Sequence, residues 1–144
     1  MSLEHAREKL SEMDCELLEI DKLSAHEEIN PGRLDEIIKQ MERENLVDYP
    51  RLVENQYNII LDGHHRYYAL KKMNADYVPV DRVDYFSDGL VKLKPRPNCP
   101  LEKLTKESVV KMGKSDEVFP PKSTRHILTR PEKIVNIKLD CLFD

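Results

Sequence analysis

The sequence predicts an α/β fold of the α+β kind, a small mixed sheet flanked by helices. Three observations carry that prediction. Segments with helical and strand periodicity alternate along the chain. The apolar run Ile59-Ile60-Leu61 breaks at Asp62-Gly63 and passes straight into a helical pattern, which marks a strand-to-helix turn. The 144 residues, 40% hydrophobic and 35% charged, suit a single globular domain over 1–144 with a real core.

Residues 3–13 place Leu3, Ala6, Leu10 and Met13 at helical spacing. Residues 16–20 read as a short strand, and 21–31 as a loop whose strongest turn signal is Asn30-Pro31-Gly32. Leu34, Ile37, Ile38 and Met41 follow an i, i+3, i+4, i+7 pattern, so a helix is expected to end near Asn45. Residues 50–53 and 57–61 read as strands around the polar turn 54–56, a hairpin. A helix over 64–73 follows, then a strand over 77–85, a turn at Ser87-Asp88-Gly89 and a strand over 90–94. Three prolines make 95–100 irregular. A short helix runs from 105 to about 112, a loop covers 113–122, and 134–139 looks like a late strand.

Net charge is −4, where a dedicated DNA binder would show a basic excess. DNA is therefore not an expected partner, although Lys122, Arg125, Arg130, Lys133 and Lys138 could form a local basic patch. Cys15, Cys99 and Cys141 are odd in number and lack CxxC spacing, which argues against a zinc site or redox dithiol. Their number and spacing fit a reducing, cytoplasmic location. No apolar run approaches a membrane span, and the charged residues 1–10 do not read as a signal peptide, so no membrane is expected.

Three motifs carry candidate chemistry. In Asp62-Gly63-His64-His65-Arg66, the strand-to-helix turn leaves backbone N–H groups unpaired at the positive end of a helix dipole. Gly63 permits the sharp turn, and the two histidines and Arg66 add donors and positive charge. A capped helix start with solvated side chains would need fewer such groups. The loop Leu23-Ser24-Ala25-His26-Glu27-Glu28-Ile29-Asn30-Pro31 offers a carboxylate that could take a proton from a hydroxyl. Its alternative is a pair of solvated glutamates near a helix start, and the motif by itself does not decide between them. Lys122-Ser123-Thr124-Arg125-His126 holds hydroxyls, a guanidinium and an imidazole suited to phosphate, or is an exposed basic turn. His64 and His65 are adjacent and project in different directions, so no protein metal site is predicted. Mg²⁺ escorting a nucleotide needs few protein ligands.

Together these motifs resemble the ParB/sulfiredoxin superfamily, and within it the free-serine kinases. Ile60-Leu61-Asp62-Gly63-His64-His65-Arg66-Tyr67-Tyr68-Ala69-Leu70 is similar to the superfamily's nucleotide-binding motif. His26-Glu27 resembles the kinases' His-Glu pair, and residues 119–126 resemble their late motif. The resemblance covers about 17–128. It implies that Asp62, Gly63, His64, His65 and Arg66 hold the phosphates of ATP or ADP, with Mg²⁺ bridging them. It makes Glu27 the catalytic base and places Thr124 and His126 on the transferred phosphoryl group, with His26 and Arg125 at the substrate; Arg33 is expected to orient Glu27 or to bind an anionic substrate. The implied activity is phosphoryl transfer to a small hydroxyl substrate, free L-serine, giving O-phosphoserine. Where the kinases carry a tryptophan, the corresponding region 91–97 has no aromatic residue. Sulfiredoxin chemistry needs a cysteine where His64 stands. The rival reading is a non-catalytic ParB-like nucleotide-binding or DNA-associated regulatory module.

Overall fold

The first helix, α1 (Leu3–Glu12), starts where the Ser2 side chain accepts the His5 N–H. A computed structural model describes residues 2–87 and 89–144. Met1 lies outside them, as does Asp88 of the expected turn at 87–89. The second helix, α2 (Pro31–Glu44), follows from local chemistry too. Asn30 caps it by accepting the Gly32 N–H, and Pro31 occupies the first helical turn. Asn45 ends it in the left-handed region at φ 48°.

Four strands form the main sheet: β1 (Glu16–Glu19), β3 (Arg51–Glu54), β4 (Ile60–Asp62) and β5 (Tyr77–Val83), in the order β1-β5-β3-β4. β3 runs parallel to β5 and antiparallel to β4, so the sheet is mixed. The parallel pair is joined through α3 (His64–Lys72), which packs on α2. The predicted hairpin is present, but its second strand starts at Ile60 rather than 57. Buried Glu54 binds the N–H groups of Gln56 and Tyr57, and Asn58 is left-handed at φ 57°, so this stretch is a turn. A register shift between Leu52 and Val53 bends the hairpin.

Strand alternation divides the buried side chains between two cores. Val53 and Ile60 join the core under the helices with Leu10, Met41, Leu70 and Val80. Their neighbours Leu52 and Leu61 join a second core with Val83, Tyr85, Val109 and Phe119. The second core is closed by a ribbon of β6 (Val91–Pro95) and β7 (Thr124–Leu128), and by α4 (Lys106–Gly113) with its Thr105/Ser108 capping box. A Cβ on Gly113 would lie 2.6 Å from Ile59, so this packing needs glycine.

The sequence reading assigned no strand to 124–128. It also overextended the late strand at 134–139. There only Ile137–Lys138 pairs (β8, with β2 at Leu46–Val47), and Leu139–Leu142 coils into a 3₁₀ turn. The Asp62–Arg66 motif ends β4 at the edge of the main sheet, where α3 begins and β7 passes.

Candidate functional site

Glu27 is held by backbone on both sides. Ser24 bridges to β4, its N–H to the Asn58 carbonyl at 3.1 Å and its carbonyl from Ile60 N–H at 2.8 Å. Phe119 brackets the next residues, donating to the His26 carbonyl and accepting from Glu28 N–H, both at 2.8 Å. Glu27 Oε1 then accepts three bonds from the late motif: Ser123 N–H at 3.2 Å, Thr124 N–H at 2.8 Å and the Thr124 hydroxyl at 2.9 Å. Oε2 takes none among the described residues. Burial raises the Glu27 pKa, against the lowering pull of the Thr124 hydroxyl, the two N–H groups and Arg96.

His26 lies behind this carboxylate, fully buried. Its Nδ1 donates to the Ile60 carbonyl at 2.7 Å, and Nε2 meets the Thr124 hydroxyl at 2.9 Å. Burial lowers its pKa to about 4, so the ring is neutral and Nε2 is an acceptor. The Thr124 hydroxyl therefore has one proton and two acceptors, and ties early and late motifs that stand 98 positions apart. His64 packs edge-on against His26 at 4.5 Å and accepts the His26 N–H at Nε2. Its side chain is thus spent inside the protein, and its backbone N–H is what it can offer a ligand.

α3 starts at Gly63, left-handed at φ 89°, with no side-chain cap. The N–H groups of the first helical turn therefore point outward without intrahelical partners. Asp62 does not cap the helix; it is exposed at the cavity rim. The histidines bring donors to this turn but not charge. Burial lowers the pKa of His64 well below its ordinary value, lowers that of His65 with help from Arg33 and Lys122, and takes His126 to about 3. The positive charge comes from arginine and lysine.

Two adjoining cavities meet at the turn. One, about 580 Å³, is lined by Glu27, Arg33, His65, Arg96, Lys122 and Thr124. The other, about 420 Å³, has the more apolar lining of Tyr49, Leu52, Ile127 and Leu128, with Asp81 and Lys133. Arg51, Asp62, Gly63, Arg66, Arg125 and His126 belong to both. Every predicted site residue except His26 thus lines the larger cavity, and His26 supports it from behind. Arg33 reaches it from α2 but makes no ion pair with Glu27 among the described residues.

Sequence reasoning missed Arg51, Arg96 and Tyr85. Tyr85 supplies an aromatic ring at the site: its hydroxyl, which burial keeps protonated, donates to His126 Nε2 at 2.7 Å. A charged residue opening the apolar strand Arg51-Leu52-Val53 was the available signal for Arg51. The basic patch is smaller than expected, because Arg130 and Lys133 pair with buried Asp81 at 2.7 and 3.3 Å. No cluster of three or more metal-ligating side chains occurs among the described residues.

This architecture matches a solved structure described as a free serine kinase in complex with AMP. The TM-score is 0.80 over 90% of this chain and 94% of that one, at 20% identity. The chain has the free serine kinase fold. Sequence relatives point the same way. An ATP-dependent L-serine kinase from Staphylothermus marinus is 41% identical over 83 residues, 54% of this chain and 32% of the relative. The ADP-dependent L-serine kinase SerK from Thermococcus kodakarensis is 33% identical over 83 residues, 54% of this chain and 34% of the relative. These matches span about a third of the curated relatives' length. No family model matches the chain. Among the described residues, no helix of this free serine kinase fold is long and apolar enough to cross a membrane.

Proposed function

We propose that this protein transfers a phosphoryl group from ATP or ADP to a hydroxyl substrate, free L-serine giving O-phosphoserine. The observation that carries this reading is the clamp on Glu27. Three donors fix Oε1, and Oε2 is left at a cavity that also holds an uncapped helix N-terminus and Arg66. A carboxylate whose pKa is raised by burial suits a general base better than a solvated one.

The apolar-lined cavity accommodates the nucleoside and the charged one the acceptor, with the phosphates at their shared wall. The α3 N–H groups and Arg66 bind phosphate oxygens, and His65 and Arg125 flank them. Glu27 Oε2 takes the acceptor's hydroxyl proton. The oxygen–phosphorus bond to the acceptor forms as the bond from the terminal phosphorus to the bridging oxygen breaks, releasing ADP from ATP or AMP from ADP. Neutral His126, its Nε2 held by the Tyr85 hydroxyl, lines the shared wall beside the transferred group, and Thr124 keeps Glu27 aimed. Catalysis here is positioning and charge stabilisation.

Exposed Asp62, free of hydrogen bonds and ion pairs among the described residues, is a hard oxygen donor beside the phosphate turn. One such carboxylate together with phosphate oxygens fits Mg²⁺. When bound, the ion would neutralise phosphate charge. Arg33, Arg96 and Lys122 favour an acceptor carrying a carboxylate, as serine does.

The test is to incubate the protein with Mg²⁺, ATP or ADP, and a panel of hydroxyl compounds headed by L-serine, following products by ³¹P NMR. A new phosphomonoester resonance with L-serine supports the reading. Nucleotide binding with no phosphorylated product from any acceptor would favour the non-catalytic module.

A further inference from the structure

Arg51 is a buried cation in no direct ion pair among the described residues, with Asp62 and Glu132 as its nearest electrostatic counterweights. It opens β3 in the middle of the sheet and is 5% exposed. Its Nη2 donates to the Tyr49 carbonyl at 2.8 Å and its Nη1 to the Gly63 carbonyl at 3.3 Å. Its Nε is buried with no hydrogen-bond partner, and no carboxylate pairs with it among the described residues. Burial and the neighbouring Arg66 lower its pKa to about 10, against the raising pull of Asp62 and Glu132, which still leaves it charged at neutral pH. Keeping an unpaired charge inside a protein is costly unless something compensates for it.

The guanidinium is also pressed against the phosphate turn. A Cβ on Gly63 would fall 2.4 Å from Arg51 Nη1 and 2.9 Å from its Cζ. Glycine is thus needed here for room as well as for its positive φ. Arg51 lies in the wall that both cavities share, beside Arg66 and Arg125. Of these three cations it alone is buried; Arg66 is half-buried and Arg125 exposed. The turn's unpaired N–H groups and this buried guanidinium, whose Nε lacks a hydrogen-bond partner and whose charge meets no direct ion pair among the described residues, are independent features that both call for an anion at one place.

We infer that Arg51 is a phosphate-binding residue that engages the donor nucleotide's phosphate chain from the protein interior, so that affinity depends on the charge of that chain. The inference rests on the nucleotide-binding half of the proposed function and extends it. Interior placement limits screening by water and salt, so Arg51 discriminates by phosphate charge more than the exposed Arg125 does. Its planar fork suits two phosphate oxygens in a way that an ammonium does not.

Calorimetric titration of ADP and of adenosine into wild type, Arg51→Lys and Arg51→Met tests this. Arg51→Met is expected to weaken ADP at least 30-fold while adenosine changes less than threefold, with Arg51→Lys between them. Unchanged ADP affinity in folded Arg51→Met, or equal losses for ADP and adenosine, would overturn the inference. Should Arg51→Met fail to fold, the wild type still decides. The Arg51 Nε–H resonance in an arginine-labelled sample shifts with ADP and not with adenosine if the inference holds, and an unmoved resonance at ADP saturation overturns it. Selective loss of ADP binding without any phosphorylated product would retain Arg51 and remove the kinase. Product formation with undiminished ADP binding by Arg51→Met would do the reverse. A wild type that binds neither ADP nor ATP removes both.

Discussion

In the proposed reaction Glu27 is the general base, and its environment makes the expected pH dependence specific. Because its pKa is raised, kcat should fall as pH drops through a value above the ordinary 4.5 of a glutamate. Thr124→Val deletes the hydroxyl shared by Glu27 and His26 but keeps the backbone donors. It should lower kcat by roughly 10- to 100-fold, with a smaller change in ADP affinity, as steady-state kinetics and calorimetry would show. Individual residues were unevenly legible. The Asp62–Arg66 turn and Glu27 could be named from their motifs. That the histidines are neutral could not, because their pKa values come from burial that only tertiary packing creates. Arg51 stayed hidden because a strand pattern says nothing about which long side chain folds back under a turn 12 positions away.

Among the elements, the helices and most strands were readable, and β2 and β7 were not. The four helices and the β3–β4 hairpin follow from apolar spacing and turn chemistry. β7 was missed because Thr124-Arg125-His126 spends its polar residues on the site, which masks the alternation expected of a strand. β8 was overextended because an apolar run such as Ile-Val-Asn-Ile-Lys-Leu reads as strand whether or not a partner is long enough to pair with it. The contact between α4 and the hairpin offers an elemental test. Gly113→Val pushes a side chain into Ile59, whose relocation would disturb the segment carrying Ser24 and His26. Overpacking of this kind costs about 1–3 kcal/mol, which a denaturant titration would register as a lower midpoint with an unchanged slope.

Across the whole molecule, one end of the sheet gathers groups from both ends of the sequence, and several of them are buried histidines. Their folded pKa values, about 4 for His26 and about 3 for His126, lie below the ordinary 6.5. The unfolded chain therefore binds more protons over that interval. The stability these groups contribute is complete above about pH 6.5 and is lost as pH falls toward 4 and below. At pH 5 the loss is roughly 2 kcal/mol for each histidine. Glu27, with its raised pKa, acts in the opposite sense as a single group. The Tm should thus drop steeply between pH 6.5 and 4, and His126→Gln should flatten that drop; a flat profile in the wild type would contradict the buried neutral rings. At this scale the α+β class and the pairing of early and late motifs at one site were anticipated. The two-core layout was not, since it depends on which strand neighbours face which way.

The most direct test of the central claim is a ³¹P NMR time course with Mg²⁺, nucleotide and L-serine, run on the wild type and on Glu27→Gln under the same conditions. The wild type should build up O-phosphoserine. Glu27→Gln should slow that build-up at least 100-fold while binding nucleotide as tightly as the wild type does. Equal rates in the two proteins, or no phosphoserine from the wild type, would contradict the account.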